Sequence, residues 1–538
     1  MFVDSRTLPA GQTVESQICI IGGGAAGITI ARELIGSGLE VCLLESGGLE
    51  PDAETQDLYA GELVGHHYQT LDTTRLRFFG GTTNHWAGYC RPMDEIDFAR
   101  RHWLPETGWP ITRASLDPYY TRAQSICELG RYDYDPENWR DGDYGPFAFD
   151  AKMLISGVIQ VGPPTRFGEV YRPDIENARN VTAYLHANVT DIRLADERVT
   201  EVRVACLDGK SFRVRAKNFI LATGSIENAR ILLYSNSQRP KGIGNTYDVV
   251  GRYFSDHIVS WDSGQLVTDK RYRETMLYGS EQRYDGAKII GFVAPSPEFQ
   301  REHGIPNCAM CLDPVNLSVR SRSIASAKHV LRALERGEMP DELTAHIGRM
   351  IGGFDDLVDA AYRKAVKPPP KLFTTRYWTE CPPDPDSRVM LGDEKDALGL
   401  PRVKLDLRLP SDMKRTYEVM HELFASEIGR LGIGRAQIGL KGSVDAALDD
   451  MEGSFHQMGT TRMSDDPRKG VVDTNCRVHD VHNLFIAGSS VFPAYGHINP
   501  TLTIVALATR LADHVKQLTA SPAQALSSRH GQNTVSQP

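Results

Sequence analysis

Between residues 16 and 45 the chain reads as a strand, a glycine-rich turn, a helix and a second strand ending in an acid, an order that few folds can house. SQICIIGGG runs into Gly22-Gly23-Gly24-Ala25-Ala26-Gly27, followed by ITIARELIGSG and then VCLLE, which ends on Glu45. Each part has a physical task. Gly22 allows the tight turn, Gly24 lets the backbone approach a pyrophosphate, and Gly27 permits close packing of helix on strand. The helix start offers unpaired N–H groups and the positive end of its dipole to phosphates. Glu45, 18 residues beyond Gly27, is placed to accept hydrogen bonds from ribose hydroxyls. The expectation is an α/β, Rossmann-like dinucleotide domain.

Two later segments suit the same cofactor. Residues 78–91, FFGGTTNHWAGYCR, collect Gly81, Thr82, Asn84, His85 and Trp86 in one loop. That composition can wrap backbone donors around a polar ring edge and pack an aromatic side chain beside it. Residues 218–231, NFILATGSIENARI, run from an apolar strand through Ala222-Thr223-Gly224-Ser225 into a helix, a second border for the cofactor. Towards the C-terminus, GSFHQMGTTRM and NLFIAGSSVFPAYGHINPTLTIVA set His456 and Asn499 beside an apolar strand, tight turns and a helix start. The opening unit alone fits NAD or FAD. No second dinucleotide fingerprint follows, so the expectation is one large cofactor held permanently.

Taken with DFARRHWLPETGWPI, PPTRFG, VGRYFSDH and PPDPDSRVML, these motifs resemble the glucose–methanol–choline (GMC) oxidoreductases over most of the chain. The C-terminal pattern is most similar to bacterial members related to pyranose 2-oxidases and glycoside oxidases. The resemblance implies FAD, a substrate alcohol and hydride transfer to the flavin. It matches His456 to the family's general base and Asn499 to its partner. Imidazole, with a pKa near ~6.5, can take a hydroxyl proton at neutral pH, and an amide can donate to the same oxygen without competing for that proton. His497, two residues before Asn499, is a third candidate for the acid–base role. Cofactor contacts are expected from Gly22, Gly24, Gly27, Glu45, Gly81, Thr82, Asn84, His85, Trp86, Ala222, Gly224, Ser489, Asn499, Pro500 and Thr501. The acid that often ends the last cofactor strand is replaced by Ser489-Ser490, leaving its work to backbone N–H groups of the helix after Pro500. His85 falls where pyranose oxidases carry a flavin-linked histidine, and is read here as packing beside the isoalloxazine without a bond.

Because its cofactor segments lie far apart, the chain is read as interleaved: an FAD-binding domain from 1–98, 181–258 and 449–517, and an α+β substrate-binding domain with connecting segments from 99–180 and 259–448. Short β-rich runs in 259–313 and 372–410 are expected to form a sheet roofing the flavin. Residues 318–366 read as two amphipathic helices that pack on their own domain or on another subunit. Residues 518–538 read as a disordered tail. Net charge is −9, which disfavours nucleic acid as a partner. No segment reaches ~18 uninterrupted apolar residues and no secretory signal is visible, so a cytoplasmic enzyme is the expectation, with a homo-oligomer left open. Nine scattered cysteines fit reduced thiols, and Cys308 and Cys311 read as a packed buried pair and not a metal site. The substrate class is a sugar or glycoside secondary hydroxyl, with a polyol or lipid-like alcohol, or an inactive flavin-binding component, as alternatives. The electron acceptor, quinone, carrier protein or O₂, leans towards a dehydrogenase.

Overall fold

A computed structural model describes residues 1–519 apart from 141–144, 262, 280, 285, 316–320, 336, 338, 367–368, 411 and 439–451. The disordered-tail expectation therefore lies, from residue 520 onward, outside the described residues.

The apolar run Ile18–Ile21 is buried along its whole length, and so are Val41–Leu44 and Asn218–Leu221. Strands buried on both faces belong in the middle of a parallel sheet. Six described strands pair in the order Phe2–Asp4, Val181–Leu185, Val41–Leu44, Ile18–Ile21, Asn218–Leu221, Leu484–Ile486, and every pairing is parallel. From Ile18–Ile21 the next strand in sequence lies on one side, whereas the two latest lie on the other. That reversal makes a crevice at the carboxyl ends of the strands, where open α/β sheets bind ligands. Helix Thr501–Thr519 packs against Ala25–Glu33 and Asp117–Ile126, closing one face of the sheet. The Rossmann-like expectation is met.

A small sheet of Thr13–Glu15, Ser211–Arg215, Arg198–Ala205 and Asn188–Ala195 flanks this unit. An antiparallel sheet of ten described strands includes Gly264–Thr268, Leu372–Thr379, Cys308–Pro314, Ala287–Pro295 and Leu154–Val161, with Ile258–Ser260 and Glu452–Gly453 joined to it. The expected single sheet from 259–313 and 372–410 is corrected in one respect. Arg388–Lys395 and Pro401–Leu407 leave it to form a separate three-stranded sheet with Gly61–Gly65.

Two further differences have local causes. Residues 318–366 form three helices, Arg322–Glu335, Leu343–Gly352 and Phe354–Val366, because the Gly352-Gly353 pair breaks the second expected helix. They pack on one another, and Ile347, Ile351, Phe354, Val358, Tyr362 and Val366 stay exposed. Cys308 and Cys311 are both buried but three residues apart on one strand, so their side chains point to opposite faces and do not pair.

Candidate active site

Three strand ends deliver a glycine to the same cavity, which encloses about 410 Å³. Gly24 caps helix Ala25–Glu33, Gly224 caps Ser225–Tyr234, and Gly488 precedes the turn Ser489–Val491. A Cβ added at any of the three would meet nothing within 4 Å. By contrast, a Cβ on Gly22 would lie 2.5 Å from the Ala222 carbonyl oxygen, and one on Gly27 would lie 1.9 Å from the Gly22 carbonyl oxygen. Gly22 and Gly27 are therefore glycines so that backbone can pack on backbone. Gly24, Gly224 and Gly488 leave open a cradle that side chains would fill, and that cradle fits the pyrophosphate and ring system of FAD.

The loop around residue 80 covers the cradle. Gly80 donates its N–H to the Gly23 carbonyl at 2.8 Å, and a Cβ on Gly81 would stand 3.2 Å from the Gly24 Cα. Gly81, Thr82, His85 and Trp86 line the cavity. Trp86 is pinned by its indole N–H, which donates to the Thr165 carbonyl at 2.8 Å. Asn84 does not line the cavity. Its amide donates to the Phe79 carbonyl at 2.9 Å and props the left-handed turn at Gly80. Glu45 lines the cavity, but each of its oxygens already accepts a backbone N–H, from Gly23 and from Gly47, both at 2.8 Å. The Ser46 hydroxyl stands at 3.5 Å from one of them, and a carboxylate has about four lone-pair positions, so capacity for a further donor remains. Gly22, Ala222, Ser489, Asn499, Pro500 and Thr501 line the same space; Gly27 lies behind it.

One end of the cavity is strongly charged. Arg75 and Arg230 reach Glu227 at 2.9 and 3.3 Å, and Arg230 reaches Asp396 at 2.6 Å, all buried. Burial pushes the Glu227 carboxyl up, and Arg230, Arg75 and Arg77 overcome it to leave the pKa at about 2.

At another part of the wall stand His456 and Asn499. The Asn499 side-chain nitrogen lies 3.1 Å from His456 Nε2. Antiparallel pairing of Ile258 with Gly453 brings the chain before Ile258–Ser260 alongside the chain after Glu452–Gly453. His257 Nδ1 thereby stands 3.0 Å from His456 Nδ1, with His257 Nε2 at 2.9 Å from the Gly496 carbonyl oxygen. Asp256 accepts from the His456 backbone N–H at 2.8 Å, from Ser454 at 3.0 Å and from Tyr68 at 2.6 Å. Burial pushes Asp256 up to about 6 and pulls His257 down to about 4. Burial, then the neighbouring His257, holds His456 well below its ordinary value. Phe455, next to His456, sits at φ +62°, a left-handed conformation that is costly for a bulky residue and marks a constrained turn.

His497 is not brought to this wall. It is 3% exposed, packs its ring on Phe292 at 4.8 Å, and neither ring nitrogen has a hydrogen-bond partner among the described residues. Burial drives its pKa down to about 3. The residues that the sequence reading left without a role are Asp256, His257 and Ser454. The first two lie in the VGRYFSDH motif, where a charged-looking Asp-His pair before an apolar strand is the available signal.

Comparison with known proteins adds to this geometry. A GMC oxidoreductase family model matches residues 383–508, and an FAD dependent oxidoreductase model matches residues 17–240. The chain is 32% identical over 483 residues to the C-glycoside 3-oxidase of Microbacterium trichothecenolyticum, spanning 81% of this chain and 74% of that one. It is 25% identical over 591 residues to the fructose dehydrogenase large subunit of Gluconobacter japonicus, spanning 94% and 98%. A formate oxidase variant of Aspergillus oryzae RIB40 shares the fold, with a TM-score of 0.54 at 15% identity over 95% of this chain and 99% of that one. Among the described residues no helix is long and apolar enough to cross a membrane.

Proposed function

This chain belongs to the GMC oxidoreductases and depends on FAD, and on that premise we propose that it oxidises a secondary hydroxyl of a sugar or glycoside with His456 as proton acceptor. The observation that carries this reading is the pairing of His456 Nε2 with the Asn499 side-chain nitrogen, 3.1 Å apart on the cavity wall. An alcohol oxygen that takes the place of this direct contact, within reach of both groups, can give its proton to Nε2 while accepting a hydrogen bond from Asn499. An alcohol cannot surrender hydride until that proton is leaving, so the base must be in contact and unprotonated when the C–H bond breaks. Burial meets the second condition, because it keeps His456 neutral at neutral pH. Asn499 donates without titrating, so it stabilises the oxygen as it becomes carbonyl-like. When bound, FAD supplies the hydride acceptor.

The residues that would hold it are Gly24, Gly224 and Gly488 around the pyrophosphate and rings, Glu45 at a ribose, and the start of helix Thr501–Thr519 behind Asn499 and Pro500. In this reading the FAD-binding domain draws on 1–98, 181–258 and 449–517. The sugar class follows from relatives whose names specify a C-glycoside and fructose. Nine buried free cysteines fit a reducing compartment such as the cytoplasm.

The test is anaerobic mixing of the holoenzyme with D-glucose, D-fructose, methyl β-D-glucoside, sorbitol and benzyl alcohol while flavin absorbance is followed. Bleaching by a sugar or glycoside ahead of sorbitol and benzyl alcohol is expected. Faster bleaching by benzyl alcohol would overturn the substrate class. His456→Ala should retain FAD and slow bleaching by roughly 10²- to 10⁴-fold, and an unchanged rate would overturn the proton-acceptor role.

A further inference from the structure

Behind His456, away from the cavity, lies a second imidazole that the reaction as described does not use. We propose that His257, together with Ser454, is a positioning residue that holds His456 in the one tautomer able to take a substrate proton. The proposal rests on the reading of His456 as the proton acceptor.

The hydrogen bonds around these rings run in a single direction. A carbonyl oxygen can only accept, so His257 Nε2, 2.9 Å from the Gly496 carbonyl, carries a hydrogen. His257 is fully buried and its pKa is pulled down to about 4 by burial, so the ring is neutral and has only that one N–H. Its Nδ1 therefore presents a lone pair. His456 Nδ1, 3.0 Å away, must be the donor. Ser454 leads to the same assignment by a separate route. Its hydroxyl donates to Asp256 at 3.0 Å, so towards His456 Nδ1, 2.9 Å away, its oxygen can only accept. With Nδ1 protonated on a neutral ring, His456 Nε2 is left with its lone pair, and the amide nitrogen of Asn499 points its hydrogens there from 3.1 Å. The order from Asn499 through His456 and His257 to Gly496 leaves no donor facing a donor.

The tautomer matters because the other one is inert in this role. A hydrogen on Nε2 would face the alcohol oxygen and could not receive its proton. Which nitrogen of a histidine is protonated is set by the hydrogen bond made at the other nitrogen, and a ring turned to the wrong tautomer disables an otherwise intact base. Once Nε2 has accepted the proton, the ring is positive and its Nδ1–H bond to His257 and Ser454 becomes charge-assisted. His257 keeps its own hydrogen on Nε2, because the Gly496 carbonyl cannot take it. The backbone enforces the arrangement: the Ser454 N–H donates to the His257 carbonyl at 3.1 Å, locking the two segments in register.

The test uses the FAD-loaded full chain with ¹⁵N-labelled histidine, whose imidazole nitrogen shifts report the tautomer without any substrate. In the wild type, His456 should carry hydrogen on Nδ1 and a bare Nε2. In His257→Phe/Ser454→Ala both acceptors are gone and the tautomers should mix. Replacing the Phe by Gln in that pair, as His257→Gln/Ser454→Ala, should restore the wild-type pattern, because the Gln side-chain oxygen can accept from His456 while its amide donates to Gly496. In anaerobic mixing with methyl β-D-glucoside, the paired variant should bleach flavin about 10- to 100-fold more slowly at an unchanged half-saturating concentration. His257→Gln/Ser454→Ala should recover most of that loss. Adding His257→Phe to His456→Ala should slow bleaching no further. Hydrogen on Nε2 in the wild type, or an unchanged tautomer in the paired variant, overturns the proposal. Slow His456→Ala with a normal paired variant removes the positioning role alone, whereas normal His456→Ala removes the base itself while the tautomer spectra still judge the arrangement. Should the paired variant fail to fold, His257→Phe and Ser454→Ala separately, each removing one of the two acceptors, should each shift the tautomer balance towards Nε2, and an unchanged tautomer in both overturns the proposal.

Discussion

Substituting Gly24 and Gly27 one at a time separates a glycine kept for a ligand from one kept for the fold. On Gly27→Ala the new carbon would sit 1.9 Å from the Gly22 carbonyl oxygen, 3.0 Å from its carbon and 3.4 Å from Ile20. Ordinary contact needs about 3.5 Å, so the helix must retreat by more than ~1 Å from the turn on which it is packed. Overpacking of a rigid site costs about 1–3 kcal/mol and sometimes more. The helix preference of alanine over glycine returns only about 1 kcal/mol. A backbone-on-backbone clash this close belongs at the upper end of that range, so the apoprotein should lose about 2 kcal/mol. Gly24→Val meets no atom within 4 Å and sits at φ −88°, ψ −166°, an extended backbone any residue adopts, so the apoprotein should change by less than about 1 kcal/mol. Its side chain instead enters the cavity where the pyrophosphate must lie. The assay is thermal unfolding of each apoprotein with and without added FAD. At 100 times its dissociation constant a ligand adds about 2.7 kcal/mol, and that upward shift should be seen in the wild type, retained in part by Gly27→Ala and absent from Gly24→Val. An apo Gly24→Val that unfolds as early as Gly27→Ala, or one that is stabilised by FAD like the wild type, would refute the placement of the cradle.

The acid limb of the kcat/KM profile should lie below pH 6.5, because the base works unprotonated and burial holds His456 below its ordinary value; a limb at or above pH 6.5 contradicts that. His497→Leu should stabilise the protein in acid. Its folded pKa of about 3 lies below an unfolded value of ~6.5, so the wild type loses stability as pH falls from 6.5 towards 3, by about 2 kcal/mol at pH 5, and the variant does not. The same variant should reduce its flavin at the wild-type rate, and a drop of tenfold or more would return His497 to the catalytic set. Arg101→Met leaves Glu380, otherwise held at 2.6 Å by both guanidinium ends, charged and buried, at a cost of about 3–5 kcal/mol in urea unfolding. Acid precipitation should leave the flavin in the supernatant, and a yellow pellet would show a bond to His85.

What the sequence makes legible follows how far along the chain the cause of each feature extends. The opening βαβ unit is local: turn, helix and both strands lie within thirty residues, and each glycine announces itself by the backbone it must let pass. Even so, the sequence assigned Gly24 and Gly27 to one motif and left Gly488 out, because an open cradle is a property of three strand ends that meet only in the folded sheet. The departure of Pro401–Leu407, with its hairpin partner Arg388–Lys395, to pair with Gly61–Gly65 was not legible, since that pairing joins strands more than 300 residues apart and alternation in a strand does not name its neighbour. His497 shows the converse. Two positions from Asn499 its type and place suggest chemistry, yet the chain turns through Gly496, at φ +58°, and the ring is sent into the core against Phe292. His257 is absent from any local pattern that includes His456, and only the antiparallel register of Ile258 with Gly453 sets them ring to ring. The Asp-His pair in VGRYFSDH marks the residue, but its role is set by that contact, so only the pairing of the two strands names the partner it acts through.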